Sequence, residues 1–303
     1  MTAILAFVVT VLATAGEGAG LTAGPPTVAQ SGFTYTEGPL WLGEAGLIFS
    51  DIPGNTIYRL DKSVFRRPSG AANGLTLDLE GRVIVCETEG RRVTRLEKDG
   101  TVTVIADRFE GKRFNGPNDV VVRSDGTVFF TDPPYGLPKM LHDPAAELDF
   151  AGVFAVKSGE PPHALARDFV TPNGLAFSRD EKILYVSDTE AGHVRVFDAA
   201  ADGTLSNSRE LYRLPRPDGV KVDTTGNIWC AAENGVHAMN ARGKRLQVVP
   251  VPKSSNCAFG DSDARTLYIT AWTDIYRVRT AVPGLLPGPK RQPSGTETGG
   301  ERK

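Results

Sequence analysis

At 303 residues the chain has room for one large domain or two ordinary ones. An apolar fraction of 40% supports a packed core, and a formal charge of −2 with no long basic block gives nucleic acid nothing to hold. Three cysteines and four histidines, none at metal-ligand spacing, argue against a zinc finger or a haem attachment site; Cys86, Cys230 and Cys257 each sit in an apolar run and read as buried small hydrophobes.

The chain opens on M-T-A-I-L-A-F-V-V-T-V-L-A-T-A-G, whose Ala13-Thr14-Ala15 resembles the A-x-A end of a secretory signal. The run is too short for a comfortable membrane span, so no stable membrane span is expected. Residues 1–24 are expected to be a signal peptide or disordered leader of a periplasmic or secreted protein, with a cytoplasmic protein as the alternative.

From there the sequence repeats itself. Each unit contains an apolar second element: G-L-I-F-S-D from Gly46, R-V-I-V-C-E from Arg82, T-V-F-F-T-D from Thr127, I-L-Y-V-S-D from Ile183, N-I-W-C-A-A from Asn227 and T-L-Y-I-T-A from Thr266. Five of these follow turns rich in Asp, Gly and basic residues, which is hairpin chemistry. A third element follows in every unit, as in T-I-Y-R-L-D and H-V-R-V-F, alternating apolar and polar residues as half-buried strands do. A weaker fourth element is visible in S-V-F-R-R, T-V-T-V-I-A, H-A-L-A-R, E-L-Y-R-L and Q-V-V-P-V. No stretch between Thr27 and Arg279 keeps a helical period. Four short strands recurring every ~40–50 residues are the mark of propeller blades. The expectation is an all-β, six-bladed β-propeller of four-stranded antiparallel blades over residues 25–281. The last unit lacks its outer strand, and the segment Thr27–Thr36 is expected to supply it and close the ring. A β-sandwich does not account for so regular a register. Residues 282–303, rich in Pro, Gly, Ser, Thr and charge, read as a disordered tail.

The first element of each unit begins with Glu37, Asn73, Asn118, Asn173, Asp218 or Asn256. In propellers the first strand lines the central channel, so these oxygen-bearing side chains should converge near one mouth. Asparagine alone is explained as a turn former, but Glu is poor in such a turn and occupies the same place. A ring of carbonyl and carboxylate oxygens without His or Cys suits a hard cation, with Ca²⁺ first and Mg²⁺, Mn²⁺ or Zn²⁺ as alternatives.

The motifs E-G-P-L-W, R-F-N-G-P-N-D-V-V-V-R-S-D-G-T-V-F-F-T-D-P-P-Y-G, P-N-G-L-A-F-S-R-D and P-D-G-V-K-V-D-T-T-G-N-I-W occur in this order. With them the chain resembles the senescence marker protein, gluconolactonase and luciferin-regenerating enzyme-like family, from about Glu37 to Arg279. The resemblance implies a six-bladed propeller with a catalytic divalent metal, usually Ca²⁺, and for many members hydrolysis of sugar lactones. It implies Glu37, Asn173 and Asp218 as metal ligands, Asn118 as a substrate and sometimes metal contact, and Asp218 as general base. Read from the residues, Asp132 in T-D-P-P-Y-G is a second candidate acid, although Asp51 and Asp188 share its repeat position and the motif is also a good strand-ending turn. Asn73 and Arg113 are candidate substrate contacts. Tyr135 and the irregular stretch Gly136–Phe150 are expected either to cover the mouth or to form a passive surface loop. Three classes compete: a metal-dependent lactonase, a phosphotriesterase or arylesterase on the same site, and a non-catalytic binding module. The partner implied is a small lactone or ester, on a monomer or homodimer.

Overall fold

The computed structural model describes residues 20–289. Six four-stranded antiparallel sheets follow one another along the chain, each running from an inner to an outer strand. Their inner strands are Thr36–Trp41, Ala72–Leu77, Val120–Val122, Pro172–Phe177, Val220–Val222 and Ser254–Gly260, which open blades 1 to 6. Among the described residues there is no α-helix, only three short 3-10 turns. None of these is long and apolar enough to cross a membrane.

Alternation along each strand builds the ring. In Leu47–Asp51, Leu47 and Phe49 face blade 6 in one buried cluster, while Ile48 faces blade 2 in another. In Val128–Asp132, Phe130 joins the cluster with blade 2, and Phe129 the cluster with blade 4. The remaining clusters lie between blades 4 and 5 and between blades 5 and 6. Apolar burial therefore sits in the seams, and no blade can bury its faces alone. All three cysteines are buried and free within these seams, as expected of small hydrophobes.

The last blade is closed from the other end of the chain. Thr22–Ser31 pairs antiparallel with Asp274–Thr280, with Thr22 opposite Thr280 and Ser31 opposite Asp274. This is the expected closure, five residues earlier than Thr27–Thr36, because Thr36 already begins the inner strand of blade 1. Three residues of the expected leader, Thr22 to Gly24, thus belong to the ring. Gly20 and Leu21 are also described, and residues 1–19 of the expected signal lie outside the described residues.

The segment after Ala281 also meets the propeller. Pro283 O accepts from Thr224 N–H and Leu285 N–H donates to Val222 O, each at 2.9 Å, at the lower end of blade 5. Gly288 then lies beside Leu77, and Pro289 beside Gly81, at the lower end of blade 2. Blades 5 and 2 stand opposite each other, so Val282–Pro289 crosses the lower mouth of the channel. Residues 290–303 lie outside the described residues.

Candidate active site

At the upper mouth the inner strands begin around a cavity of about 450 Å³. Five of the six lead residues, Glu37, Asn73, Asn118, Asn173 and Asp218, line it. Irregular pairing re-aims them: the register shifts between Glu37 and Leu40, Ala72 and Leu75, and Pro172 and Leu175. Such bulges bend the strand and turn a side chain out of the ladder. The glycine after the lead residue has a second purpose. A Cβ on Gly174 would collide with Asp218 O, and one on Gly219 with Asn256 Oδ1, so glycine lets neighbouring blades approach at the axis.

The S-D and T-D pairs that end the second strands divide their labour. The hydroxyl holds the lead residue of the next blade: Ser50 Oγ donates to Asn73 O at 2.8 Å, Thr131 Oγ1 to Asn173 O at 2.8 Å, and Ser187 Oγ to Asp218 O at 2.7 Å. The acid holds the backbone leading into its own blade. Asp132 accepts from Asn115 N–H at 2.9 Å and Gly116 N–H at 2.7 Å; Asp51 and Asp188 each accept from two successive N–H groups in the same way. Asp132 is fully buried, and burial pushes its carboxyl up to about 7. It does not line the cavity. Asp132 thus takes the strand-ending role that Asp51 and Asp188 share. Arg113 is also elsewhere, in the small hairpin between blades 2 and 3, where its N–H donates to Glu147 Oε2 at 2.9 Å.

The two acids that do reach the cavity are under electrostatic load. Glu37 Oε2 accepts from Gly38 N–H at 2.8 Å and Asn256 Nδ2 at 3.0 Å. Burial, with Asp119 nearby, still pushes its carboxyl up to about 7. Burial, then Glu37, then Asp119 drive the Asp218 carboxyl well above the usual carboxylate range. Asn256, the sixth lead residue, does not line the cavity; it lies beneath and supports Glu37. Below it, Lys221 Nζ stands 3.7 Å from Asp119 Oδ2.

Asp218 Oδ1 and Asn73 Oδ1 are buried without a hydrogen-bond partner. Asn173 gives its Nδ2 to Thr189 Oγ1 at 3.1 Å, which leaves its carbonyl oxygen for another partner. No cluster of three His, Cys, Asp or Glu side chains suited to a metal occurs among the described residues. The donors gathered here are two carboxylates and several amide oxygens. That set fits a hard cation, since the orphaned oxygens and the two crowded acids both lack positive charge.

Tyr135, from the turn Pro134–Gly136, lines the cavity beside the hydroxyls of Thr171 and Thr189. The stretch after it does not line the cavity. Ala145 O accepts from Arg91 Nη1 at 3.0 Å, and Leu148 packs into the seam of blades 2 and 3. Of Tyr135 and the stretch Gly136–Phe150, only Tyr135 reaches the cavity wall. The walls also contain Tyr35, Thr88, Arg216, Glu233, Lys253 and Trp272. Thr88, Glu233 and Trp272 share the repeat position just past the second strand with Ile52 and Thr189, and Tyr35 and Arg216 the position two before the lead residue.

Residues 35–273 match the SMP-30/Gluconolactonase/LRE-like region. The chain belongs to that family. Its match runs from Tyr35 in the cavity wall to one residue past Trp272, so it covers every residue that lines the cavity. Within the family, the chain is 31% identical to a gluconolactonase of Zymomonas mobilis over 86% of its own length and 82% of the relative's. It is 33% identical to regucalcin of Oryctolagus cuniculus over 78% of its length and 83% of the relative's. A gluconolactonase structure from Xanthomonas campestris superposes with a TM-score of 0.76 at 31% identity, covering 90% of this chain and 99% of that one.

Proposed function

We propose that this chain is a lactone hydrolase of gluconolactonase type, dependent on a divalent cation, with Ca²⁺ the first choice. The observation that carries this reading is the convergence of Glu37 and Asp218 with the orphaned oxygens of one cavity. The gluconolactonase relatives, similar over most of the chain, support the choice of substrate class.

Glu37, Asn173 and Asp218 would hold the cation, with Asn118 as a further contact. When bound, the cation supplies positive charge to polarise the ester carbonyl and to offset the two acids. The chain's own residues do the rest. Asp218, whose Oδ1 has no partner, takes a proton from the attacking water. Water adds to the carbonyl carbon, the ring C–O bond breaks, and the proton passes to the departing alkoxide, giving a hydroxy acid. Asn73 and Asn118 orient the hydroxyls of the substrate. Tyr135, at the wall, narrows access for bulk water.

The test is hydrolysis of glucono-1,5-lactone against a buffer blank, with Ca²⁺ and with chelator, beside a panel of phosphotriesters and aryl esters with Ca²⁺, Mg²⁺, Mn²⁺ and Zn²⁺. Calcium-dependent lactone turnover above the blank supports the reading. Full turnover in chelator removes the cation from it, and turnover of phosphotriesters alone replaces the substrate class.

A further inference from the structure

Lys253 and Trp272 line the same cavity but play no part in that chemistry. They stand at its open end: Glu37 is 3% exposed and Trp272 50%. Lys253 immediately precedes the inner strand of blade 6, and Trp272 sits in the turn after that blade's second strand. Both backbones are pinned. Lys253 N–H donates to Glu233 O at 2.7 Å, and Trp272 O accepts from Thr36 N–H at 2.6 Å. Both take a left-handed φ, 59° and 51°. Other turns of the structure hold non-glycine residues such as Lys62 and Glu110 in the same conformation, so it fixes the shape of these two turns and does not by itself mark a site.

The two side chains meet, with Lys253 Nζ 3.9 Å from the centroid of the Trp272 ring. Their charge balance differs from that of the other cation in the wall. Arg216 is neutralised by Glu190 at 2.7 Å and Glu233 at 3.8 Å. Lys253 makes no salt bridge among the described residues, and its ammonium donates to no acceptor there. An ammonium carries three donors, and an indole face fixes its position without using them in conventional hydrogen bonds.

We propose that Lys253, held on Trp272, is an anion subsite, and that the substrate is a lactone bearing a carboxylate or phosphate remote from the ester. This rests on the lactonase reading and deepens it. A neutral sugar lactone leaves the ammonium facing water. An anionic one adds charge-assisted hydrogen bonds at a position already ordered by the aromatic ring. A cavity of about 450 Å³ has room for a six-carbon lactone with such a group.

The experiment compares kcat/KM for glucono-1,5-lactone, 6-phosphoglucono-1,5-lactone and glucaro-1,4-lactone in the wild type, Lys253→Met and Lys253→Glu. The charged-to-neutral ratio is expected to favour at least one charged lactone by about tenfold in the wild type, to collapse in Lys253→Met and to invert in Lys253→Glu. Equal values for charged and neutral lactones in the wild type overturn the subsite, as does an equal fall for all three in Lys253→Met. If no lactone is turned over, the lactonase reading has failed instead. Calorimetry with 6-phosphogluconate against gluconate then reads the subsite alone: a preference for the phosphate lost in Lys253→Met supports it, and equal binding overturns it.

Discussion

Asn256 Nδ2 donates to Glu37 Oε2 at 3.0 Å, so the last blade holds the acid that the first blade carries into the cavity. The bond crosses the seam where the ring closes, beside a second contact from Ser255 Oγ to Thr36 O at 2.7 Å. Closing the fold and orienting the acid are therefore the same event. A cation held by Glu37, as proposed above, would also report on the seam.

Asn256→Leu leaves Glu37 Oε2 with the Gly38 N–H alone. The expected result is roughly tenfold weaker Ca²⁺ binding by calorimetry and a melting temperature lower by about 2–6 °C, since a buried charged acceptor loses a donor. A lower melting temperature with unchanged Ca²⁺ binding would reduce Asn256 to a packing role.

Glu37 makes stability depend on pH. Its carboxyl holds a proton up to about 7 in the folded chain, against 4.5 for an ordinary glutamate. The folded state binds that proton more tightly than the unfolded state, so the metal-free protein loses stability as pH rises from 4.5 to about 7. Glutamine can still accept from Gly38 and Asn256 and carries no charge. In chelator, Glu37→Gln should therefore resist urea better than the wild type near pH 8, with the gap closing near pH 5. Ca²⁺ should raise the wild type and not the variant. Equal urea midpoints near pH 8 in chelator would show that this acid carries no burial cost.

The blades are legible in the sequence because each strand buries alternate residues in two seams, which imposes the same short pattern six times. Glu37, Asn73, Asn118, Asn173 and Asp218 are legible for the same reason, as one repeat position seen in different blades. Trp272 shares the position just past the second strand with Ile52, Thr88, Thr189 and Glu233, and Arg216 the position two before the lead residue with Tyr35. The residue types there are unlike, so no common chemistry shows in the repeat. Lys253 comes from the turn before the last inner strand. Asp132 misleads because a buried carboxylate looks the same on paper whether it faces a cavity or two peptide N–H groups. Its kinship with Asp51 and Asp188 was the better signal. Val282–Pro289 has the composition of a tail, yet Leu285 and Leu286 pack on the cores. Its glycines serve the packing in two ways: a Cβ on Gly284 would collide with the Phe259 ring, and Gly288 takes a left-handed φ of 97°.

Asp132 and Asp218 should separate cleanly in experiment. Asp132→Ala strands the N–H groups of Asn115 and Gly116, so stability should fall by about 1–3 kcal/mol in urea melts. Turnover per folded molecule should stay near that of the wild type. Asp218→Asn should leave the melting temperature equal or higher and lower lactone kcat by at least about 100-fold, the scale of a lost general base. If Asp132→Ala removes turnover without loss of stability, the strand-ending role assigned to it is wrong.

The segment across the lower mouth gives the last prediction. Leu285 and Leu286 pack against the seams of blades 4 to 6, and Gly288 and Pro289 reach blade 2. Ending the chain after Ala281 uncovers Phe259 and Leu77 and removes the contacts of two half-buried leucines. Burial of that size is worth about 2–4 kcal/mol, so the melting temperature should fall by about 5–15 °C. Gly284→Ala should produce a smaller loss through its collision with Phe259. Glu37 and Asp218 lie at the other mouth, so Ca²⁺ affinity and lactone KM of the folded truncated protein should match those of the full chain. A change in Ca²⁺ affinity at constant melting temperature would instead mean that the segment acts on the site through the channel, by way of Lys221 and Asp119 beneath Asn256.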